Sequence, residues 1–518
     1  MELKTKEIWT KELVKSILDQ FVLDEDYNVP DSKRDMKRII ASEAKVRIEE
    51  VKPVENYVRV SGKLEFQVLY VGEGLEATIS SLEGKIPFEE MVYVENANGE
   101  YKVQAGRVDL QASMIHSRKL RLKSFVELEL EVYREVQEEI PLDVDARETI
   151  FQKKMELGML VLHTQKQDTY RVKEELSLPG TRENIGTLLW TDISNRKLDT
   201  KLEEDEFVLS GEFLVFCFYE SPDGKLDWIE QTVPYQGRIP CRNVDASMYH
   251  QVKAELEDAH ADVRLDEDGE MRLIGIEGTL KMEISIYQEE HMEVLEDVYS
   301  LEKQCRLERK EIPCERLVLQ NHSKCKVTQK LSLPELKNSV LQICHSSGSI
   351  QVDHTTQEEQ GVLVEGALHV SFLFVKANDE VPFDCWSGVV PFSYLIECGG
   401  LSEHLQFQIS ALLEQLSVTL LGGDEVEVKA VLAFHSFFRD VRKMKMITDI
   451  QLEKLNMEEM EKRPGVIGYI VKEGDDLWKL AKRYFSTKEG IMQVNEMTSE
   501  ELKVGERILI FRENLSIL

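Results

Sequence analysis

Three stretches of similar sequence decide the fold, and they read VRVSGKLEFQVLYV (58–71), VLSGEFLVFCFYES (208–221) and VLVEGALHVSFLFV (362–375). They align on Gly62, Gly211 and Gly366, and every second residue after each glycine is apolar or aromatic. Strict alternation of this kind is typical of a β-strand with one buried face. In the second stretch the intervening residues are largely apolar as well, which predicts a strand that is covered on both faces.

A constant frame of prolines surrounds these strands. Each glycine lies 32 residues after one proline, and a second proline follows 23 to 25 residues later, in IPFEEMV, VPYQGRI and VPFSYLI. We therefore expect three copies of one unit of about 110 residues. The pairs Asp268-Gly269 and Gly422-Gly423 predict hairpin turns late in the second and third copies. The residues that follow Pro179 and Pro334 predict a short helix before the strands.

This repeat sets the expected domain boundaries. Repeats are expected at 26–140, 141–295 and 296–440, the last two with a preceding connector, followed by a linker at 441–467 and a C-terminal module at 468–518. Residues 1–25 are expected to form an amphipathic helix that packs on its own domain or on a partner. The helix rests on the spacing of Ile8, Leu13, Val14, Ile17, Leu18 and Phe21.

Composition excludes several classes of partner. The 518 residues are 42% hydrophobic and 31% charged, which is typical of soluble folded domains. The 64 Lys and Arg residues against 96 Asp and Glu residues give a net charge of −32, so nucleic acid is not an expected partner. The richest apolar run, 361–375, is interrupted by Glu365 and His369, and no membrane span is expected. Residues 1–21 lack the features of a secretory signal, so we expect a cytoplasmic protein.

The sequence contains none of the common catalytic motifs. It has no phosphate-binding loop ending in Lys-Ser or Lys-Thr, no HExxH, no GxSxG and no GxGxxG after a strand. Its eight cysteines form no CxxC pair, so neither a disulfide framework nor a zinc site is expected. We therefore expect no enzyme, no metal and no cofactor.

The C-terminal sequence YIVKEGDDLWKLAKRYFSTKEGIMQVNEMTSEELKVGERILIF, which starts at Tyr469, resembles a LysM domain. The resemblance implies a small βααβ fold that binds chains containing N-acetylglucosamine. Asp476 departs from the threonine that the family usually has, and Phe511 departs from its usual proline. On this sequence the family's groove corresponds to Gly474, Asp475, Asp476, Leu477 and Trp478 on one side and to Asn495, Glu496 and Met497 on the other.

The same residues also have a structural interpretation. Leu477 and Trp478 fit an apolar helix face, Asp475 is placed to cap the first helix, and Asn495 is placed to end the second. Residues 468–518 carry 8 basic and 9 acidic residues, so −31 of the net charge lies on the preceding 467 residues. A solvated acidic surface and a dock for a basic protein are both open as meanings of that charge.

The three repeats resemble the SPOCS domain, a β-rich module of endospore-forming bacteria. Together with the LysM-like module they resemble the SipL-type spore-coat morphogenetic proteins. This resemblance implies a mainly β chain of three tandem, sandwich-like SPOCS domains with short helices, followed by the small LysM domain. It also implies a non-enzymatic scaffold in the mother-cell cytoplasm, at the forespore surface, that binds a coat-basement ATPase and other coat proteins. Binding of a glycan, either peptidoglycan or cortex, is the alternative.

Overall fold

The computed structural model describes residues 1–74, 78–95, 99–336, 339–377 and 382–513. They form three repeats of six strands each and a C-terminal module, which confirms the predicted mainly β fold. Repeat 1 contains β1 (Glu2–Asn28), β2 (Met36–Val54), β3 (Tyr57–Gly72), β4 (Thr78–Tyr93), β5 (Glu100–His116) and β6 (Lys119–Asp145). Repeat 2 contains β7 (Phe151–Ser177), β8 (Thr187–Glu203), β9 (Glu206–Glu220), β10 (Leu226–Pro240), β11 (Tyr249–Leu265) and β12 (Met271–Tyr299). Repeat 3 contains β13 (Lys303–Ser332), β14 (Val340–Glu358), β15 (Gly361–Lys376), β16 (Phe383–Glu397), β17 (Leu405–Gly422) and β18 (Glu425–Lys454).

Each repeat is a sandwich of two three-stranded antiparallel sheets. In repeat 1 the strand orders are β1-β6-β5 and β2-β3-β4, and repeats 2 and 3 have the corresponding orders. Buried side chains from both sheets share one core, for example Leu64 and Phe66 of β3 with Leu128 and Leu130 of β6. The strands that carry the aligned glycines, β3, β9 and β15, are each the central strand of a sheet. The predicted sandwich is therefore present three times.

The aligned glycines are required because two neighbours crowd each of them. A Cβ atom on Gly211 would lie 2.1 Å from the carbonyl oxygen of Lys197 and 2.3 Å from the hydroxyl of Tyr235. The carbonyl belongs to a strand that shifts register at this point, and the aromatic residue lies directly opposite the glycine on the next strand. Gly62 and Gly366 have the same surroundings, with Phe88 and Phe392 as the aromatic partners.

In each repeat the second proline of the frame comes directly before this aromatic residue in the sequence. Pro87, Pro234 and Pro391 lie in β4, β10 and β16, which are edge strands of their sheets. A proline is tolerated at an edge because no neighbouring strand needs its missing N–H donor. The glycine and the following proline therefore mark one recurring contact, in which an aromatic ring covers a glycine across two strands.

Replacing Gly211 with alanine is expected to destabilise the chain by about 1–3 kcal/mol, because backbone and ring must both shift to admit the methyl group. The measurement is the free energy of unfolding in urea. Gly180→Ala in the same repeat is the control, since a Cβ atom there meets nothing within 4 Å. Equal stabilities of the two variants would contradict the crowding argument.

The predicted N-terminal helix is wrong, because residues 2–28 form β1 and pair along their whole length with β6. A spacing of four residues is even, so it keeps side chains on one face of a strand as well as of a helix. Ile17 and Phe21 pack on the core of repeat 1, whereas Leu18 and Val22 are exposed on the other face. The connectors expected before repeats 2 and 3 are the equivalent strands β7 and β13.

Two smaller expectations also need correction. Pro334–Leu336 forms a single 3₁₀ turn, and the chain after Pro179 forms a turn without a helix. The first part of the expected linker at 441–467 is the end of β18, which runs to Lys454.

The predicted hairpin turns are present, since Gly269 joins β11 to β12 and Gly422 and Gly423 join β17 to β18, all three with positive φ.

The three repeats meet in a shared hub of apolar side chains. The first and sixth strands of each repeat extend beyond their sandwich as two-stranded ribbons, and the three ribbons pack against one another. Every one of these six strands contributes to one buried cluster, which consists of Ile8, Ile140, Leu157, Met159, Val294, Ile312, Cys314 and Met446. The repeats are therefore joined into one array by a common core.

A second junction joins the other sheets of the three repeats. Its apolar cluster includes Val71 of repeat 1, Phe216 of repeat 2 and Phe383 of repeat 3, so β9 is covered on both faces as predicted. The buried ring of His345 stacks on Phe216 at a centroid distance of 4.0 Å and hydrogen-bonds Asp192 and Glu230 of repeat 2. Burial alone would lower the pKa of His345, but these two carboxylates outweigh it and raise the pKa above its usual value of 6.5.

Repeats 2 and 3 also enclose a second group of histidines, whose pKa values are lowered where that of His345 is raised. The rings of His322 and His435 stack at a centroid distance of 4.0 Å, and His250 Nε2 lies 3.0 Å from the Thr200 hydroxyl. Burial, followed by the proximity of His322, lowers the pKa of both His250 and His435 to about 4. Both rings are therefore neutral in the folded chain at neutral pH.

A neutral buried histidine makes stability fall in acid, because the unfolded chain takes up protons near pH 6.5 and the folded chain only near pH 4. We expect the free energy of unfolding to fall by about 2 kcal/mol per histidine between pH 7 and pH 5. Urea titrations of His435→Gln should show a smaller acid loss than those of the unchanged chain. The control His404→Gln, at an exposed residue, should keep the full loss. Identical acid losses in both variants would contradict the assignment.

The C-terminal module follows repeat 3 after a short helix. That helix is α1 (Met457–Lys462). The module itself consists of β19 (Val466–Ile470), α2 (Leu477–Tyr484), α3 (Lys488–Val494) and β20 (Arg507–Phe511), and β19 pairs antiparallel with β20. The order of β19, α2, α3 and β20 is the predicted βααβ arrangement. Across the described residues, the structure contains no helix of the length and apolar character that crossing a membrane requires.

Candidate functional site

The C-terminal module has its own apolar core, to which repeat 2 contributes the buried ring of Tyr299 and the partly buried ring of Phe151. Leu477, Leu480 and Ala481 of α2 are buried, and the ring of Tyr299, near the end of β12, packs into the same cluster. The remaining buried members are Val471, Trp478, Ile491, Ile508 and Ile510. The predicted apolar face of the first helix is confirmed, and it serves packing inside the module and against the array.

The helix cap is Asp476 and not Asp475, which corrects the prediction. Asp476 is the N-cap of α2, and its Oδ1 accepts a hydrogen bond of 2.6 Å from the backbone N–H of Lys479. Asp475 instead holds the preceding turn, where its Oδ2 accepts bonds from the N–H of Lys472 at 2.8 Å and from the hydroxyl of Tyr469 at 2.9 Å. These bonds lower the pKa of Asp475. An aspartate at 476 therefore performs the capping role that a threonine can also perform.

Trp478 faces the array and not the solvent. Its side chain is 7% exposed, and its indole N–H donates a hydrogen bond of 2.9 Å to Asp297 Oδ2 of β12. Its ring meets the edge of Tyr299 at a centroid distance of 4.8 Å, and Tyr299 in turn stacks on Phe151 of β7 at 4.9 Å. The residue that the sequence placed in the binding groove therefore forms an internal contact.

Two polar contacts complete this seat of the module. Lys482 Nζ lies 2.6 Å from Asp297 Oδ1, so one carboxylate binds both the indole of Trp478 and an ammonium group. The hydroxyl of Tyr299 donates a buried hydrogen bond of 3.0 Å to the carbonyl oxygen of Ser486, which follows α2. Burial raises the pKa of Tyr299, which therefore keeps its donor proton. We call Asp297, Tyr299, Trp478 and Lys482 the module seat.

The second segment of the predicted groove is mostly structural as well. The side-chain amide of Asn495 donates to the carbonyl oxygens of Ile491 and Leu509, and its oxygen accepts from the N–H of Leu509, all at 2.7 Å. It thus connects the end of α3 to β20, as the structural interpretation expected. Glu496 has positive φ and is exposed, and Met497 is partly buried on the module core.

The structure therefore divides the eight predicted site residues into two groups. Leu477 and Trp478 are buried, and Asn495 is committed to backbone bonds. The other five predicted site residues keep accessible surface, and they are Gly474, Asp475, Asp476, Glu496 and Met497. Sequence reasoning missed Asp297, Tyr299 and Lys482. Lys482 could have been found, because it lies four residues after Trp478 and so shares its helix face, whereas nothing local in the sequence marks Asp297 or Tyr299.

The described residues contain neither a metal-binding cluster nor a disulfide. No group of three or more His, Cys, Asp or Glu side chains in that part of the chain is arranged to hold a metal ion. All eight cysteines are free thiols, and burial raises the pKa of the Cys217 thiol to about 12. That thiol remains protonated at neutral pH and packs as a small apolar side chain.

Comparison with known families identifies both parts of the chain. Residues 35–115, 184–264 and 339–421 match the family described as SipL, SPOCS domain, and residues 469–511 match the LysM domain. Each SPOCS match covers the second to fifth strands of a repeat and leaves out the long first and sixth strands. No curated protein and no solved structure matches the chain.

Removing the shared carboxylate of the module seat should loosen the module. Asp297→Ala leaves an indole N–H and an ammonium group without their acceptor, at an expected cost of about 1–3 kcal/mol. Hydrogen exchange of the α2 amides should accelerate, while amides in the hub stay protected. Asp145→Ala is the control, because the salt bridge of Asp145 in the described part of the chain is an exposed pair with Lys4 at 3.9 Å. Unchanged exchange in α2 would show that Asp297 does not hold the module.

Proposed function

We propose that this chain, which carries three SPOCS domains and a C-terminal LysM domain in the SipL arrangement, is a non-enzymatic scaffold of the spore coat. Both domain families are non-catalytic, and SPOCS domains connect the chain with sporulation. On this proposal the chain binds a coat-basement ATPase and other coat proteins in the mother-cell cytoplasm and helps to encase the forespore.

The observation that carries the proposal is the position of Trp478. An aromatic ring in a sugar groove offers its face to a sugar, but this ring is buried against Tyr299 and its N–H is bound to Asp297. Because Trp478 packs against its own chain, its ring is not available to a glycan, and the groove that remains is smaller. What remains exposed is better suited to a protein surface, which supports the scaffold.

The array supports the same function in another way. Its hub and its second junction combine side chains of all three repeats, so surfaces on different repeats are held at fixed positions. Several weak contacts at fixed positions bind a lattice of repeated partners far more tightly than any single one of them. The acidic surplus of the array keeps such a protein soluble while it is free.

Glycan binding is the second candidate, and a specific observation favours it. Gly474, Asp475 and Asp476 on one side and Glu496 on the other keep accessible surface, and they belong to the region that matches the LysM family. On this alternative the module binds chains containing N-acetylglucosamine, from peptidoglycan or cortex.

Titration calorimetry of the full chain separates the two candidates. We expect heat on mixing with the purified coat-basement ATPase and none with chitooligosaccharides. Glu496→Lys, which reverses a charge at the predicted groove, should weaken ATPase binding about tenfold. Glu267→Lys is the matched control, in the exposed turn between β11 and β12. Sugar binding without ATPase binding would overturn the scaffold proposal in favour of the glycan.

A further inference from the structure

Three arginines line a cavity at the C-terminal end of α2. The cavity has a volume of about 470 Å³. It is lined by three arginines, Arg463, Arg483 and Arg512, and by three largely apolar side chains, Pro464, Ile467 and Tyr484. We call these six residues the arginine cavity.

The three guanidinium groups are held in place, and none of them forms a salt bridge with a carboxylate among the side chains that the structure describes. Arg483 acts on Asp475 through space, where it contributes to the lowered pKa of that carboxyl group. Arg463 lies over the ring of Phe485 at 5.1 Å and Arg483 over the ring of Tyr484 at 5.3 Å, measured to the ring centroids. Arg512 Nη1 donates to the carbonyl oxygens of Met460 and Arg463, at 2.5 and 3.3 Å.

The carboxylates that form salt bridges in the described part of the module pair with lysines. Among the described residues, the salt bridges of the module are Lys479–Asp476, Lys482–Asp297 and Lys488–Glu500, and none involves an arginine. A guanidinium that stacks on an aromatic face keeps its N–H edge free, and this edge fits a carboxylate through two parallel hydrogen bonds. The arginine cavity therefore has the donors for a carboxylate ligand already positioned.

An exposed apolar row begins beside the cavity. Val466 and Ile470 of β19 and Leu509 and Phe511 of β20 lie on the outer face of the two-stranded sheet, and each is at least 43% exposed. Val466 pairs with Phe511, and Arg512 of the cavity is the next residue. The space above Gly468, in the middle of the row, is open, since a Cβ atom there meets nothing within 4 Å. Apolar contacts and carboxylate donors are thus adjacent.

We propose that the arginine cavity and the apolar row together bind an acidic segment of a partner protein, one that carries apolar side chains next to its carboxylates. This inference rests on the proposed role of the LysM domain as a protein-binding module and specifies the chemistry of its partner. Charge complementarity favours this occupant, because residues 1–467 carry −31 of the net charge and repel an acidic segment, whereas the arginine cavity presents three positive charges to it.

Fluorescence anisotropy with the full chain and a labelled synthetic peptide tests the proposal. The probe is a short peptide with leucines in one half and glutamates in the other, and a second peptide has glutamines in place of the glutamates. We expect Arg483→Glu and Arg463→Glu each to weaken binding of the glutamate peptide at least tenfold, which is about 1.4 kcal/mol. The glutamine peptide should bind weakly to every form of the chain.

Arg242→Glu is the matched control, because it makes the same charge change at an exposed residue of repeat 2. Arg483→Gln, which removes the charge without reversing it, is the second variant in case the glutamate variant does not fold. Equal affinity of the Arg483 and Arg242 variants for the peptide would overturn the proposal. Displacement of the peptide by an equal concentration of inorganic phosphate would also overturn it, since the cavity would then be a simple anion site.

Binding of the coat-basement ATPase, measured on the same variants, keeps this inference separate from the proposed function. ATPase binding that survives Arg483→Glu, together with failure of the peptide to bind, would overturn the inference and leave the scaffold intact. Peptide binding in a chain that does not bind the ATPase would overturn the scaffold and support the arginine cavity as a site for acidic segments of another protein.

Discussion

Six long strands are the constraint on which the rest of the structure depends. The first and sixth strands of the repeats have 27 to 30 residues, whereas the other strands of the array have 15 to 19. At roughly 3.3 Å per residue the long strands reach about 90–100 Å, well beyond one sandwich. A ribbon of two strands that leaves its sandwich exposes apolar side chains unless something covers them. Here the three ribbons cover one another, and so the hub in which Ile8, Ile140 and Met446 meet turns three repeats into one array.

The position of the LysM domain follows from the same ribbons. Asp297 and Tyr299 lie at the end of β12, where the ribbon of repeat 2 leaves the hub, and they hold α2 through Trp478 and Lys482. The module is therefore fixed relative to the array by side-chain contacts in addition to the chain that connects them. A partner that contacts both parts finds their surfaces already oriented, which reduces the entropy that binding must overcome.

The sequence predicted the features that depend on near neighbours. Alternation around Gly62, Gly211 and Gly366 located three strands, and the fixed spacing of the prolines located the repeating unit, whereas the central position of those strands and the edge position of the proline strands came from the structure. It failed where two structures share one pattern, as in residues 1–25, whose spacing of four suits helix and strand alike until β6 supplies a partner. It could assign Trp478 to a groove or a core but could not find Asp297, because that contact joins residues 181 positions apart.

The two histidine groups place opposite demands on the pH at which the array is intact. His345 bridges Asp192 and Glu230 as a cation, so its contribution is present below pH 6.5 and is lost only as the pH rises through its raised pKa. His250 and His435 must stay neutral between repeats 2 and 3, so their contribution is complete above pH 6.5 and is lost as the pH falls toward 4. Both demands are met together only between about pH 6.5 and the raised pKa of His345. Both groups lie between repeats 2 and 3. This pH window near neutrality is therefore a property of the assembled array and not of any single SPOCS domain.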